Sequence, residues 1–473
     1  MNKPVIKQDI ALLKQIRDFA GGPLIGTFIS MITVPITTRL VSPVEFGKSA
    51  LFTLVQTLFS LIALFGLDQA FVRYYNSKEL TKNKLLYNVI IFPFSLSLLS
   101  VLFIVLFKKP LSFWLFEQNE PVIMILFCFF LPALIVHRFA LLIIRMELKG
   151  KLYSILNIFA QINHLICLLL LLFYFERSFR AIVIAIIFST IINAVISLIF
   201  TKNTWTLRIQ YFDKYLLKEL LKFGIPLVPA TLLSWLLDSF DKIGLRQWSN
   251  YEQLGLYAAA FKIVALLAVL QTVFTTAWIP IAFRWYEDNE NVIKFDFVSV
   301  LVLGFMTIAY AGIVVLRDIV LLFLGSEYRN ISSILIYLLF IPVMYTISET
   351  TTLGIAFSKK TYFNLYVSLI CVILSVTANY FLIPVFGAKG AALSTAVAYL
   401  AFFWARTLFS RRLWYKFKFD KYIINILLII TLAVFVEIQL FKLAEIFIFL
   451  LIIFFNLLNI KRYYTALSGD IVL

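Results

Sequence analysis

The chain has 473 residues, of which 62% are hydrophobic and only 14% charged, with mean hydropathy +0.96 and a formal net charge of +17. An ordinary soluble domain carries roughly 25% charged residues, so the composition excludes a soluble globular protein and predicts an all-α polytopic membrane protein. Cys128, Cys167 and Cys371 each sit inside an apolar run, far from any spacing that suits a metal site or a disulfide framework, and read as packing residues.

A membrane-spanning helix needs ~20 mostly apolar residues. In chain order, such segments fall at 19–39, 46–67, 85–107, 121–144, 153–174, 180–200, 220–243, 254–280, 294–316, 331–357, 362–383, 389–408, 421–440 and 443–460, about fourteen in all. The first follows a basic start and ends at "TTRLVS" without a small-residue cleavage pattern, so it reads as a retained span. An even number of spans puts both termini on one side. With that side cytoplasmic, the cytoplasmic loops and adjoining span ends hold 28 of the 42 Lys and Arg and the opposite loops and span ends 12, with Arg138 and Lys262 deeper inside spans. This is the bias that retains basic loops in the cytoplasm. The positive charge is therefore expected at the headgroup level as topology signal and anionic-lipid contact, which argues against a nucleic-acid partner.

The longest loop, about 201–219, leaves no room for a nucleotide-binding domain. No phosphate-binding loop, zinc-protease motif or dinucleotide fingerprint occurs. The expectation is a protein without cofactor or metal that is not an enzyme.

An internal repeat organises the spans. "RLVSPVE" (39–45) and "RQWSNYE" (246–252) share R-x-x-S-x-x-E at an offset of 207, and each precedes a glycine, Gly47 or Gly255. "LPALIVHR" (131–138) matches "IPVMYTIS" (341–348) at 210, and "RSFRAIVIA" (177–185) matches "GAKGAALST" (387–395) more weakly. Three matches in order predict that spans 1–6 repeat as spans 7–12 in parallel orientation, with two spans outside the repeat. The division is an N-terminal six-helix lobe at 1–205, a C-terminal six-helix lobe at 206–412, and a two-helix segment with a short tail at 413–473. Two such lobes rocking about a central cleft are transporter architecture.

A charge near the bilayer centre costs ~2.5–3.5 kcal/mol on insertion scales and marks a protein or water-filled interior. Asp238, Asp241 and Lys242 recur at helical spacing and are expected on one face. They form either a self-neutralising Asp238–Lys242 pair or a cleft-lining site where the second carboxylate exchanges a coupling ion or proton. Arg138, six residues beyond Pro132, and Glu349, seven beyond Pro342, occupy near-equivalent positions and are candidates to pair across the cleft. Lys262, about eight residues into its span, lies ~12 Å deep and reads as a lumen cation. His137 and His164 read as helix–helix partners or proton relays. Trp114, Trp205, Trp248, Trp285 and Trp414 fall at interfaces, as an aromatic belt requires.

The stretch "ITTRLVSPVEFGKSAL" (36–51), followed one span later by "GLDQAFVRYY" (66–75), closely resembles the start of Wzx-type O-antigen and polysaccharide-unit flippases. These form the polysaccharide branch of the multidrug/oligosaccharidyl-lipid/polysaccharide (MOP, MATE-like) exporter superfamily. "NYFLIPVFGAKGAALSTAVAY" (379–399) resembles the same family's junction of spans eleven and twelve. The resemblance implies translocation of a polyprenyl-diphosphate-linked oligosaccharide, for O-antigen lipopolysaccharide or a similar surface polysaccharide, across the bacterial inner membrane. It implies membrane lipids and a glycan polymerase as further partners. By the same analogy Arg39, Arg73, Arg138, Arg246 and Lys262 are candidates for a cationic substrate cleft. Asp238, Asp241 and Glu349 depart from a purely cationic cavity. Arg73 is placed where a headgroup would come in, with Asp68 positioned to orient it and Tyr74 and Tyr75 able to stack on sugar; the alternative is a snorkelling arginine with belt tyrosines. Functions left open are export of lipid II or another lipid-linked glycan, and drug or cation antiport within the superfamily.

Overall fold

The computed structural model describes residues 3–77, 80–206, 208–360, 362–439 and 441–467. Among them the regular structure is helical and no strand occurs. Among the described residues twelve helical stretches are long and apolar enough to cross a membrane, two of them, Lys214–Trp248 and Ser326–Thr351, made of successive shorter helices. Another, Tyr362–Leu413, is broken at Gly387 (φ 55°, ψ −131°). Counting its halves separately, with the apolar helix Asp420–Glu437, gives the expected total of about fourteen. The chain is a multi-pass membrane protein, and it packs as two compact units, 1–236 and 237–473.

Unit 1 contains α1 (Lys3–Leu40), α2 (Pro43–Leu64), α3 (Leu67–Tyr74), α4 (Lys82–Leu106), α5 (Lys108–Phe116), α6 (Pro121–Met146), α7 (Gly150–Tyr174), α8 (Phe179–Thr201) and α9 (Lys214–Gly224). α10 (Leu227–Trp248) begins in unit 1 and ends in unit 2. Unit 2 continues with α11 (Tyr251–Glu287), α12 (Val292–Val315), α13 (Arg317–Leu322), α14 (Ser332–Leu338), α15 (Phe340–Thr351), α16 (Leu353–Phe357), α17 (Tyr362–Leu413), α18 (Asp420–Glu437) and α19 (Lys442–Leu467). The tenth expected span, 331–357, is three short helices rather than one. α18 and α19 pack on α12.

In lipid, side chains facing outward are as apolar as those within, so close contact and satisfied polar groups define the packed interior. In unit 1, Phe52 is fully buried against Phe127 at 5.1 Å and Phe116 at 6.4 Å. In unit 2, Phe295, Trp278, Phe357 and Trp414 form a second aromatic cluster. Trp278 and Trp414 thus lie in packed aromatic contacts, so Trp414 is more than the belt residue expected.

Both units close on themselves by one device. Helix N-termini leave backbone N–H groups unsatisfied. In unit 1 the Phe179 N–H opening α8 donates to Glu45 Oε2 at the start of α2 (2.9 Å). In unit 2 the Ala388 N–H, just after the break in α17, donates to Gln253 Oε1 at the start of α11 (3.0 Å). These positions correspond, within one residue, to the R-x-x-S-x-x-E and "RSFRAIVIA"/"GAKGAALST" matches of the sequence.

Candidate functional sites

In unit 1 the site begins with a turn. α2 ends at Phe65 (φ 49°) and Gly66 (φ 74°), two successive left-handed residues. A Cβ on Gly66 would lie 2.4 Å from the Gly224 carbonyl oxygen, so only glycine permits both the dihedral and the approach of α9. The turn sends the chain into α3 with Asp68 in its first turn. There the buried Asp68 Oδ2 accepts from Arg138 Nη2 on α6 (2.8 Å) and from Gln69 Nε2 (3.1 Å). This ion pair borders a pocket of about 780 Å³ whose lining includes Gln56, Thr57, Ser60, Gln69 and His137. Gln56 Oε1 is buried without a hydrogen-bond partner in the protein, an unmet acceptor that costs free energy unless a donor arrives. The Arg138 side chain is 48% exposed and gives Asp68 one Nη. His137 Nδ1 lies 3.2 Å from Ser197 Oγ on α8, a helix–helix contact; His164 likewise meets Ser189 at 3.3 Å.

Two expectations are corrected here. Asp68 holds Arg138, not Arg73, which lies exposed near the end of α3. Tyr74 and Tyr75 are committed to packing: Tyr74 donates its hydroxyl to Glu219 Oε1 (3.0 Å), and Tyr75 is buried beneath Lys82 Nζ, 4.9 Å from the ring centroid. The hydrogen bond to Glu219 raises the Tyr74 hydroxyl pKa, and burial raises that of Tyr75. The reason is that α3 folds back as a helix against α9, where a loop was expected.

In unit 2 the expectation of one shared face on α10 needs refinement. Asp238 and Asp241 are three residues apart, about 60° around a helix, and that angle separates an exposed side chain from one that is 2% exposed. Asp241 Oδ2 accepts from Tyr257 (2.6 Å) and Thr395 (2.6 Å), and Oδ1 from Asn379 Nδ2 (2.6 Å). Three neutral donors from α11 and both halves of α17 satisfy this carboxylate. Asn379 Oδ1 is buried and takes no hydrogen bond within the protein. Lys242 Nζ donates to the Asp238 main-chain carbonyl (3.0 Å) and lies 4.5 Å from the Phe261 ring centroid.

Arg138 and Glu349, expected as partners of one another, each have a partner within their own unit. Glu349 on α15 accepts from Arg406 Nη1 on α17 (2.7 Å), which also donates to Ser348 and stacks near Tyr345 and Phe402. Arg406 lies at the end of the expected span 389–408 and was not singled out from the sequence. Among the other cationic candidates, Arg39 ends α1 exposed, Lys262 is exposed on α11, and Arg246 lies 4.7 Å from the Tyr251 ring. Sequence reasoning missed Gln56, Tyr257, Asn379, Thr395 and Arg406. Asn379 and Thr395 lay within the quoted "NYFLIPVFGAKGAALSTAVAY", where a polar residue inside a span was the available signal.

Residues 19–285, more than half of the sequence, match the profile described as polysaccharide biosynthesis protein. The chain belongs to that family. No curated protein matches it. Among solved structures, this polysaccharide biosynthesis family member is similar to the lipid II flippase MurJ in an inward closed conformation, with TM-score 0.70 at 16% identity over 96% of this chain and 99% of that one. It is also similar to an inward-facing multidrug resistance MATE transporter of the MOP superfamily, with TM-score 0.53 at 16% identity over 82% and 94%. A third match is the Vibrio cholerae MATE transporter VcmN in its bent form, with TM-score 0.52 at 15% identity over 85% and 97%. The fold is therefore shared with this lipid II flippase and these MATE transporters.

Proposed function

We propose that this protein translocates a polyprenyl-diphosphate-linked oligosaccharide, the repeat unit of O-antigen or a similar surface polysaccharide, from the inner to the outer leaflet of the bacterial plasma membrane. The observation that carries the reading is the unit 1 pocket. It lies among the spans of a polysaccharide-family chain and combines an arginine, an acid and an array of amides and hydroxyls. Sugars and phosphates cannot cross hydrocarbon unaided, whereas the polyprenyl tail never needs to leave it. Arg138 offers donors beyond the one spent on Asp68, in the planar fork suited to phosphate or a sugar carboxylate. Gln56, Thr57 and Ser60 suit sugar hydroxyls. Alternating access follows from rocking of two parallel repeats, and Arg39, Arg73, Arg246 and Lys262 complete the candidate cationic set.

Asp241 supports a coupled mechanism. A buried carboxylate ringed by three neutral donors, next to the unmet Asn379 Oδ1, suits exchange of a proton or small cation. The same feature favours cation antiport as the second reading. The assay is restoration of surface polysaccharide in a strain lacking the gene, with membrane abundance measured by immunoblot. Arg138→Ala is expected to abolish restoration and Arg138→Lys to retain part of it, both at wild-type abundance. Full restoration by Arg138→Ala would remove the pocket from the mechanism. Asp241→Asn is expected to stop export without lowering abundance, and wild-type export by that variant would end the coupling assignment.

A further inference from the structure

The connection between α8 and α10 carries a surface apart from the unit 1 pocket. Residues 216, 220 and 224 of α9 are buried, and this face is fixed on unit 1 by the Gly66–Gly224 approach and the Tyr74–Glu219 bond. Upstream, Asp213 caps α9 through the Tyr215 and Leu216 N–H groups and pairs with Lys84 (2.8 Å), which lowers its pKa. Asn88 holds the Tyr211 carbonyl and the Asp213 N–H. α9 is therefore a docked element with a defined outer face.

That outer face carries Lys214, Lys218 and Lys222 at four-residue spacing, so they form one row. All three are exposed, and among the described residues none has an acidic partner. Beside the row, Leu217, Leu221 and Ile225 line a groove of about 660 Å³ shared with the lysines. Exposed Ile209 (85%) and Tyr215 (87%) stand at its upstream end. Apolar side chains at that exposure next to a lysine row are the pattern of a helix lying in a membrane interface. α8 is apolar enough to cross the bilayer, and α9 opens the next candidate span, Lys214–Trp248, so the lysine row stands where that span enters the membrane surface.

The geometry points to the outer face of α9 as a docking surface for the anionic phospholipid headgroups of the leaflet beside it. The lysine row meets the phosphates, while Leu217, Leu221 and Ile225 rest on glycerol and upper acyl carbons. Charge complementarity selects the occupant: three unpaired cations over a narrow apolar strip suit an anionic lipid better than a zwitterionic one. The groove and the unit 1 pocket share no lining residue.

The test uses the full-length protein in nanodiscs of equal phosphatidylglycerol and phosphatidylcholine, with a benzophenone amino acid replacing Tyr215 and lipid adducts identified by mass spectrometry. Phosphatidylglycerol adducts are expected to exceed phosphatidylcholine adducts by about threefold or more, given the attraction of each basic residue to an anionic surface. Lys214→Gln, Lys218→Gln and Lys222→Gln together are expected to bring the ratio to parity. The corresponding triple arginine variant, which keeps charge, is expected to preserve it. Parity in the parent protein, or a preference unchanged in the glutamine variant, overturns the proposal. So does loss of phosphatidylglycerol adducts on adding polyprenyl diphosphate at about one lipid in a hundred, because the face would then belong to the cargo.

Discussion

Lys421 and Asp296 form an ion pair whose side chains are only 2% and 4% exposed, with Tyr463 a second partner of the lysine and Tyr415 of the acid. Burial and the neighbouring Asp296 carboxylate push the Tyr415 hydroxyl up to about 12. A buried pair gives back much of its desolvation cost, but removing one partner strands the other at ~3–5 kcal/mol. Asp296→Asn or Lys421→Met alone is therefore expected to lower the thermal midpoint in detergent sharply. Asp296→Leu combined with Lys421→Met is expected to recover most of the loss, and equal loss in single and double variants would refute the coupling. Such pairs were poorly legible in the sequence. Lys421 and Arg406 fall at the ends of the expected spans 421–440 and 389–408, where a charge needs no buried partner, and only the packing of α12 and α15 shows that acids wait opposite. Asp241 was legible as a charge in a span, but its donors come from residues up to 154 positions away.

Short helices between spans decide how unit 1 is built. α3 and α9 have 8 and 11 residues, and the expected spans 46–67 and 220–243 took in only one end of each, so their mutual docking had no sequence signal beyond the glycines that permit it. Gly66→Ala places a side chain both at positive φ, costing ~1–2 kcal/mol, and against the Gly224 backbone. Its expected effect is release of α9, read as faster protease cleavage within residues 202–213 at unchanged membrane insertion. Unaltered cleavage would show that the close approach does not hold α9 down. The break in α17 was legible in advance: the expected loop between 383 and 389 contains Gly387, whose φ and ψ belong to a region open essentially to glycine.

At the scale of the whole chain, hydropathy alone recovered the fold class, because a bilayer imposes length and apolarity on every span. The excess of basic residues on one side further predicts sidedness. Cysteine at Glu327 is expected to react with an impermeant maleimide added to intact cells, and cysteine at Lys359 only after the membrane is opened; the reverse pattern would invert the topology. Both residues are exposed, so failure to react would not reflect burial. The paired N-terminal caps, Glu45 to Phe179 and Gln253 to Ala388, also bear on how the chain is made. The ends of each bond are separated by 134 and 135 residues, so at ~5–20 residues per second an early acceptor waits on the order of ten seconds for its donor to leave the ribosome. Within each unit, the last bonded helix start seals what was inserted first, and the earlier half can be sealed while the later half is still being translated.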